Sequence, residues 1–447
     1  MIDLVKKYDV PVPRYTSYPT VPAWDVNAFQ LEEYKGRLKA SFQQTKEEGI
    51  SLYLHLPYCE SLCTYCGCNT RITINHKVEL PYIESLLKEW KLYLNLFGEK
   101  PLVREIHLGG GTPTFFSPEN LRYLMESILD TVDVHPDYQF SFEGHPNNTT
   151  YEHLVALYEV GFTRVSYGVQ DVDFKVQKAI NRLQPLENIE KVTKAAREIG
   201  YTSVNFDLIY GLPFQTIYGI KQTMDVVKTF MPDRIAFYSY AHVPWVKPGQ
   251  RAYSEENIPE GEEKHKLNML GQALLLDMGY QAIGMDHFAL PEDPLYQARS
   301  KGRLHRNFMG YTESRTNFMI GLGVSSISDI GAAYTQNVKS VEGYRAKVEA
   351  GEFPMFKGHL MAVPEMEAKK LILDIACSAR IQMRDVLELN SEKYTAFNQM
   401  ADEGLIERFC LNYQVTNKGM MFLRNICALF DAYYEPENRG KLFSKAV

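Results

Sequence analysis

Between residues 51 and 285, short apolar runs alternate with stretches in which apolar residues recur every three to four positions. The runs Ser51–Leu56, Val103–Leu108, Gln139–Glu143, Arg164–Val169, Ser203–Tyr210 and Arg234–Tyr240 read as strands. The stretches Leu80–Leu96, Pro118–Leu129, His153–Val160, Leu186–Ile199 and Ile217–Phe230 read as helices. Ser117 fits a cap and Pro118 a first helical position, which places one helix start. Strands alternating with helices imply a parallel sheet with right-handed crossovers. Six units are too few to close an eight-unit barrel, so the expected fold class is α/β, a partial (β/α)6 barrel over 51–285.

The flanks read differently. Residues 1–50 hold Pro11, Pro13, Pro19 and Pro22 near tyrosine and tryptophan side chains, the pattern of an arm lying on a surface. Beyond about 360, helical patterns return over Glu365–Cys377, Met383–Leu389 and Ser391–Met400. They give way to a strand-like stretch around Leu405–Val415. A small, mainly helical C-terminal domain over 361–447, winged-helix in shape, is expected.

The chain has 447 residues, more than one core usually organises. Its 45% hydrophobic and 23% charged residues are ordinary globular usage. The net charge is −7, from 48 Lys and Arg against 55 Asp and Glu, with no basic block to follow a phosphate backbone. Nucleic acid is not expected as a partner. Nor is a membrane span, since no apolar run approaches the roughly 18–20 residues required. The first residues lack a signal-peptide stretch, so a cytoplasmic protein is expected.

Four of the seven cysteines, Cys59, Cys63, Cys66 and Cys68, fall within ten residues directly after the first strand. An odd count clustered in this way argues against a disulfide framework and for metal or catalysis. Closely spaced thiolates on one loop can reach three corners of an iron–sulfur cubane and leave the fourth iron open. The alternative is structural zinc, which normally takes its four ligands from two separated pairs. No second such pair occurs elsewhere in the chain. Reactive residues of such folds gather at the carboxyl ends of the strands. Gly109–Gly111, Glu143, Gln170, Asp207 and Ala241 all fall at or near those places.

Cys-x3-Cys-x2-Cys followed one strand later by Gly109-Gly110-Gly111-Thr112 resembles the radical S-adenosylmethionine (SAM) superfamily. Nearly the whole chain resembles the oxygen-independent coproporphyrinogen III oxidase family within it. The carrying residues are Pro13-Arg-Tyr-Thr-Ser-Tyr-Pro-Thr20, Cys66-Gly-Cys-Asn69, Gly109-Gly-Gly-Thr-Pro-Thr114 and Val169-Gln-Asp171. Asn205-Phe-Asp-Leu-Ile-Tyr-Gly-Leu-Pro213, Gly284-Met-Asp-His-Phe-Ala289, Leu304-His-Arg-Asn307 and Arg424-Asn-Ile-Cys427 extend the match. The resemblance implies a [4Fe–4S] cluster on Cys59, Cys63 and Cys66, with Cys68 needed but not a ligand. It implies SAM contacts from Tyr53, Gly110, Glu143 and Ile327. It further implies a second SAM contacted by Tyr65, Gly111, Thr112, Gln170, Arg182, Asp207 and Ala241.

His55, two residues beyond Tyr53, lies on the path to the cluster; read alone it is a core histidine. The implied reaction is oxidative decarboxylation of two propionates of coproporphyrinogen III to vinyl groups, started by a 5′-deoxyadenosyl radical. An electron donor such as flavodoxin or ferredoxin and a monomeric enzyme are implied with it. Residues 286–360 then become a substrate-side extension. Arg14, Arg303, Arg306, His287 and His305 are candidate partners for a tetrapropionate substrate, each also open to a surface ion-pair reading. Haem chaperones and haem-degrading proteins of the superfamily are the rival reading. The chaperones lack counterparts of Cys68 and of the Arg14–Pro19 arm. Two departures stand out: His145 before Pro146, where the family commonly has an acidic residue, and Glu313, where it often has a threonine. A carboxylate at 313 near a propionate-rich pocket would repel substrate unless protonated or turned outward.

Overall fold

The computed structural model describes residues 2–314, 316–435 and 443. Strands β1 (Ile50–Leu56), β2 (Leu102–Gly110), β3 (Asp133–Gly144), β4 (Phe162–Gln170), β5 (Ser203–Tyr210) and β6 (Arg234–Ser239) lie side by side in chain order. All five pairings between them are parallel. The crossover helices include Glu79–Phe97, Pro118–Leu129, Tyr151–Glu159, Leu186–Ile199 and Ile217–Phe230. Ser117 caps the second of these by accepting from the Asn120 amide, with Pro118 at its first position.

Each strand places one class of residue on each face, as the two-residue period requires. Leu52, Leu54, Ile106, Leu108, Phe140, Phe142, Val165 and Phe206 are at most 2% exposed and pack in the main core. The intervening positions are polar or small: Ser51, Tyr53 and His55 on β1, Glu105, His107 and Gly109 on β2, Gln139, Ser141 and Glu143 on β3. The apolar face buries itself against the helices. The polar face lines the barrel interior, which can therefore accept a polar ligand instead of closing into an apolar plug.

The sheet is wider than the six strands the pattern predicts. On the β6 edge, β7 (Gln281–Gly284) and β8 (His287–Ala289) add antiparallel pairings. On the β1 edge, β9 (Met319–Leu322) adds a seventh parallel strand, followed by antiparallel β10 (Ile327–Asp329), β11 (Ala333–Asn337) and β12 (Met355–Leu360). Among the described residues this makes one sheet of 12 strands. Most of the added strands are three to five residues long, too short for a period of two to declare itself.

The N-terminal segment is also more than a surface arm. Leu31–Thr45 is a helix whose Tyr34, Leu38 and Phe42 are at most 1% exposed and enter the main core. Their stripe is narrow and flanked by charged residues, which hides it in the sequence. Val5, Tyr8, Val12, Tyr15 and Tyr18 pack instead into a second core with Ile372, Ile375, Phe397, Phe422 and Ile426. That core belongs to the C-terminal unit: helices Val363–Ser378, Met383–Leu387 and Ser391–Asp402, and a three-stranded sheet of Arg380–Gln382, Ile406–Phe409 and Asn412–Val415. Three helices thus pack with a small antiparallel sheet in this mainly helical unit. Among the described residues no helix is long and apolar enough to cross a membrane.

At the amino end of the strands lies a buried ionic layer. Arg234 Nε donates to both Asp293 carboxylate oxygens at 2.7 and 2.9 Å, and its Nη2 to both Glu313 oxygens at 3.2 and 3.1 Å. Arg164 Nη1 donates to Gln139 Oε1 at 2.8 Å and lies 3.4 Å from Glu313. Thr312 and Ser51 hydroxyls, each at 2.9 Å, satisfy Glu105. Glu313 thus faces the barrel floor, away from the carboxyl rim, and the feared repulsion of substrate does not arise. Burial alone would raise its carboxyl, but Arg234 and Arg164 hold it down at about 2.

Candidate active site

The cysteine loop leaves β1 through Pro57 and is closed by a short parallel pairing of Tyr58–Cys59 with Arg71–Ile72. Four further ties fix it. Thr64 N–H donates to Ile180 O at 3.0 Å, Asn181 Nδ2 to Leu62 O at 2.8 Å, Asn69 Nδ2 to Lys339 O at 3.1 Å and Lys247 Nζ to Cys68 O at 3.1 Å. All seven cysteines are free thiols. Cys59 Sγ lies 3.3 Å from Thr112 Oγ1, Arg182 Nη1 donates to Cys63 Sγ at 3.4 Å, and the Cys68 amide donates to Cys66 Sγ at 3.4 Å.

The thiols differ in acidity. Burial pushes Cys59 up to about 11, whereas hydrogen bonding from Cys68 pulls Cys66 down to about 6 against the cost of burial. Cys68 is solvent-exposed and serves Cys66 as a donor. Among the described residues no three His, Cys, Asp or Glu side chains converge on a point that could hold one metal ion. A cubane, whose ligands reach separate irons, needs three thiols around a volume, and this loop offers that donor set.

Beside the thiols, β2 ends in a cradle that only glycine permits. A Cβ on Gly110 (φ +110°) would lie 2.6 Å from the His55 ring, and one on Gly111 would lie 2.6 Å from Pro57 O. Gly111 N–H donates to Leu56 O at 2.8 Å and Thr112 N–H to Tyr58 O at 3.0 Å, so this backbone runs tight against the loop root. Glu143 Oε2 accepts from the Gly110 amide at 3.2 Å, with His107 Nε2 at 3.5 Å from Oε1. These bonds outweigh burial, and the Glu143 carboxyl sits below its ordinary value.

Tyr53 stacks on His107 with ring centroids 6.1 Å apart. His55 is clamped, Nδ1 3.0 Å from the Tyr53 hydroxyl and Nε2 2.8 Å from Asn69 O, and burial keeps it neutral. Ile327 lies across β9, its carbonyl 2.4 Å from where a Gly321 Cβ would stand, and Gly321 pairs with Tyr53.

The opposite wall gathers the other predicted residues. Arg182 donates to Gly168 O at 2.7 Å as well as to Cys63, and a Cβ on Gly168 would meet Gln170 Nε2 at 2.6 Å. Gln170 holds a left-handed backbone at φ +66° where β4 ends. Asp207 accepts from Ser166 Oγ and Asn205 Nδ2, each at 2.9 Å. His145 stands beside Arg182; burial and then that charge drive it down to about 2, so it is neutral.

Tyr65 and Ala241, far apart in sequence, are joined by a residue the sequence reading missed. Gln250 Nε2 donates to Tyr65 O at 3.1 Å and Ala241 O at 3.2 Å, while its Oε1 accepts from the Val243 amide at 2.6 Å. Gln250 is 2% exposed within a short 3-10 turn and carries no sequence signal beyond a polar residue in a loop. Gln250→Ala is expected to weaken SAM binding about tenfold, the scale of one or two lost buried hydrogen bonds. The cluster absorbance should stay unchanged, and equilibrium binding of SAM to the reconstituted variant measures the effect.

Residues 53–227 match the Radical SAM superfamily. Relatives named oxygen-independent coproporphyrinogen III oxidase run the full length of the chain. One from Helicobacter pylori is 37% identical over 99% of this chain and 98% of its own. One from Escherichia coli K12 is 35% identical over 99% and 98%. The solved coproporphyrinogen III oxidase (HemN) from Escherichia coli, described as a radical SAM enzyme, superposes with a TM-score of 0.87. It is 33% identical and the match covers 95% of this chain and 100% of that one. With thiols, glycine cradle and wall on one rim, and likeness from end to end, the chain belongs to the oxygen-independent coproporphyrinogen III oxidase family of the radical SAM superfamily.

Proposed function

We propose that this protein converts coproporphyrinogen III to protoporphyrinogen IX without oxygen, by oxidative decarboxylation of two propionates to vinyl groups. The observation that carries the reading is one rim loop presenting Cys59, Cys63 and Cys66 to the Gly109–Glu143 cradle, in a chain similar over its whole length to such oxidases. When bound, a reduced [4Fe–4S] cluster with SAM supplies the one-electron chemistry that removes a hydrogen β to a substrate carboxylate.

The chain's own residues position that chemistry. Cys59, Cys63 and Cys66 hold the cluster, with Thr112, Arg182 and Cys68 orienting their sulfurs. Gly110 would let backbone approach the methionyl end of SAM, and Glu143 would accept from its ribose hydroxyls. Tyr53 and Ile327 would flank that molecule, and the hydrogen bond between Tyr53 and His55 holds that wall in place. Tyr65, Gly111, Thr112, Gln170, Arg182, Asp207 and Ala241 would hold a second SAM. A flavodoxin or ferredoxin supplies the electron, and the enzyme works as a cytoplasmic monomer.

Anaerobic incubation of reconstituted protein with coproporphyrinogen III, SAM and dithionite tests the reading. Protoporphyrinogen IX and 5′-deoxyadenosine are the expected products. Tight haem binding with neither product would make the protein a haem carrier instead. The pH profile adds a signature. Burial, reinforced by the Glu143 charge and opposed by the hydrogen bonds from Ser166 and Asn205, raises the Asp207 carboxyl to about 6. Below that pH Asp207 turns from acceptor to donor, so SAM affinity should fall with a midpoint near 6. Asp207→Asn should flatten the acid limb; the same midpoint in that variant would assign it to another group.

A further inference from the structure

Where β6 ends at Ser239, the carboxyl rim opens into a narrow polar cleft built by three parts of the chain. Arg14 comes from the N-terminal arm, Arg306 from the hairpin His305–Thr312, and Arg424 from the C-terminal helix Leu423–Ala428; Asp286, Met285 and Met421 stand between them. Arg14 Nη2 donates to Ser239 O at 2.9 Å and Arg306 Nη2 to Arg14 O at 3.4 Å. Arg424 Nε donates to Pro13 O at 3.1 Å, and its Nη2 bonds Val12 O. These bonds explain how the arm is held.

Among the described residues lining the cleft, three guanidiniums meet one carboxylate. That carboxylate, Asp286, already accepts from His287 Nδ1 at 2.8 Å. Burial would raise its carboxyl, but His287, Arg306 and Arg14 hold it down at about 2. Burial and the Arg14 charge together lower Arg424 to about 9, which is the mark of crowded cations. Arg306 carries the clearest deficit. It is 7% exposed, lies 4.6 Å over the Tyr311 ring, and its buried Nε and Nη1 have no hydrogen-bond partner. Unused donors on a buried cation are costly unless an anionic acceptor fills them. Arg303, by contrast, is exposed and does not line the cleft.

The cleft lies close to residues of the barrel interior. Tyr238, one residue before Ser239, has its ring 5.7 Å from that of His287. It feels the charges of Asp207 and Glu143 on one side and of Asp286 and Arg306 on the other. We infer that this cleft is a subsite for a propionate carboxylate of the substrate, received by Nε and Nη1 of Arg306 with Arg14 beside it. The assignment rests on the oxidase reading above. A carboxylate supplies both the missing charge and the missing acceptors, and Met285 and Met421 give the methylene arm an apolar flank.

The test uses coproporphyrin III, the stable oxidised form of the substrate, and its uncharged tetramethyl ester, titrated against the full-length reconstituted protein. Arg306→Gln should weaken binding of the acid about tenfold or more, the scale of a lost charge-assisted hydrogen bond, and leave the ester nearly unchanged. The ratio of ester to acid dissociation constants therefore falls in the variant. A ratio equal to that of wild type overturns the inference. If Arg306→Gln fails to fold, Arg14→Gln on the half-buried arm carries the same expectation, and an unchanged ratio there overturns it equally. Wild-type protein that binds the acid yet yields no protoporphyrinogen would refute the oxidase reading instead, a separate outcome read from turnover.

Discussion

Cys66→Ser abolishes cluster assembly and with it all SAM cleavage. The expected result is loss of the broad visible iron–sulfur absorbance after anaerobic reconstitution and no 5′-deoxyadenosine. The Cys66 sulfur is made ready to ionise by hydrogen bonding from the Cys68 side chain, reinforced by the Cys68 amide, which lowers its thiol to about 6. A serine hydroxyl in that place stays protonated at neutral pH and is a poor ligand for iron. Cys68→Ser separates the two roles in this pair. Cys68 is exposed and its amide bond to Cys66 survives the exchange, so the cluster spectrum should persist while turnover is lost. A colourless Cys68→Ser protein would make Cys68 a ligand, and a Cys66→Ser protein with full absorbance would remove Cys66 from the set.

Glu313→Thr is expected to cost about 3–5 kcal/mol of stability, because it leaves buried positive charge without its partner. The Glu313 side chain is 9% exposed and the Arg234 side chain 4%, and the two are joined through both carboxylate oxygens. Arg164 loses its carboxylate in the same stroke. Chemical denaturation of the cluster-loaded protein measures the loss, and a change under about 1 kcal/mol would mean that water replaces the carboxylate. The pH dependence has a definite sign. Glu313 titrates at about 2 when folded against an ordinary 4.5, so its contribution is complete above about 4.5. It is lost as pH falls from there towards 2. Neutral and alkaline titrations should leave it untouched.

The parallel strands and their helices were legible because two periods alternate cleanly. The predicted Ser203–Tyr210, Leu186–Ile199 and Ile217–Phe230 recur with the same bounds. The cysteine spacing was legible for a related reason: its ligands are local, so the chemistry lies within ten residues of chain. Short strands behaved otherwise. The four residues of β9 hold too little pattern to announce a strand, and it forms because β1 offers a parallel edge with Ser51 through Leu54 in register. The helix Leu31–Thr45 likewise depends on a groove for Tyr34, Leu38 and Phe42 that no local pattern describes.

Glu313 marks the boundary most clearly. In the sequence it stands next to motif residues and reads as a threat to an acidic substrate; in the fold it closes the barrel floor against Arg234 and Arg164. Gln250 and the meeting of Arg14, Arg306 and Arg424 are of the same kind, since each joins segments scores or hundreds of residues apart. The sequence by itself determined the alternating strands and helices, the thiol loop and the glycine cradle, because periodicity and ligand spacing act over a few residues. Only the tertiary structure decided which charges neutralise one another and which are left waiting for a ligand, because Coulomb energy and desolvation depend on distance and burial in space.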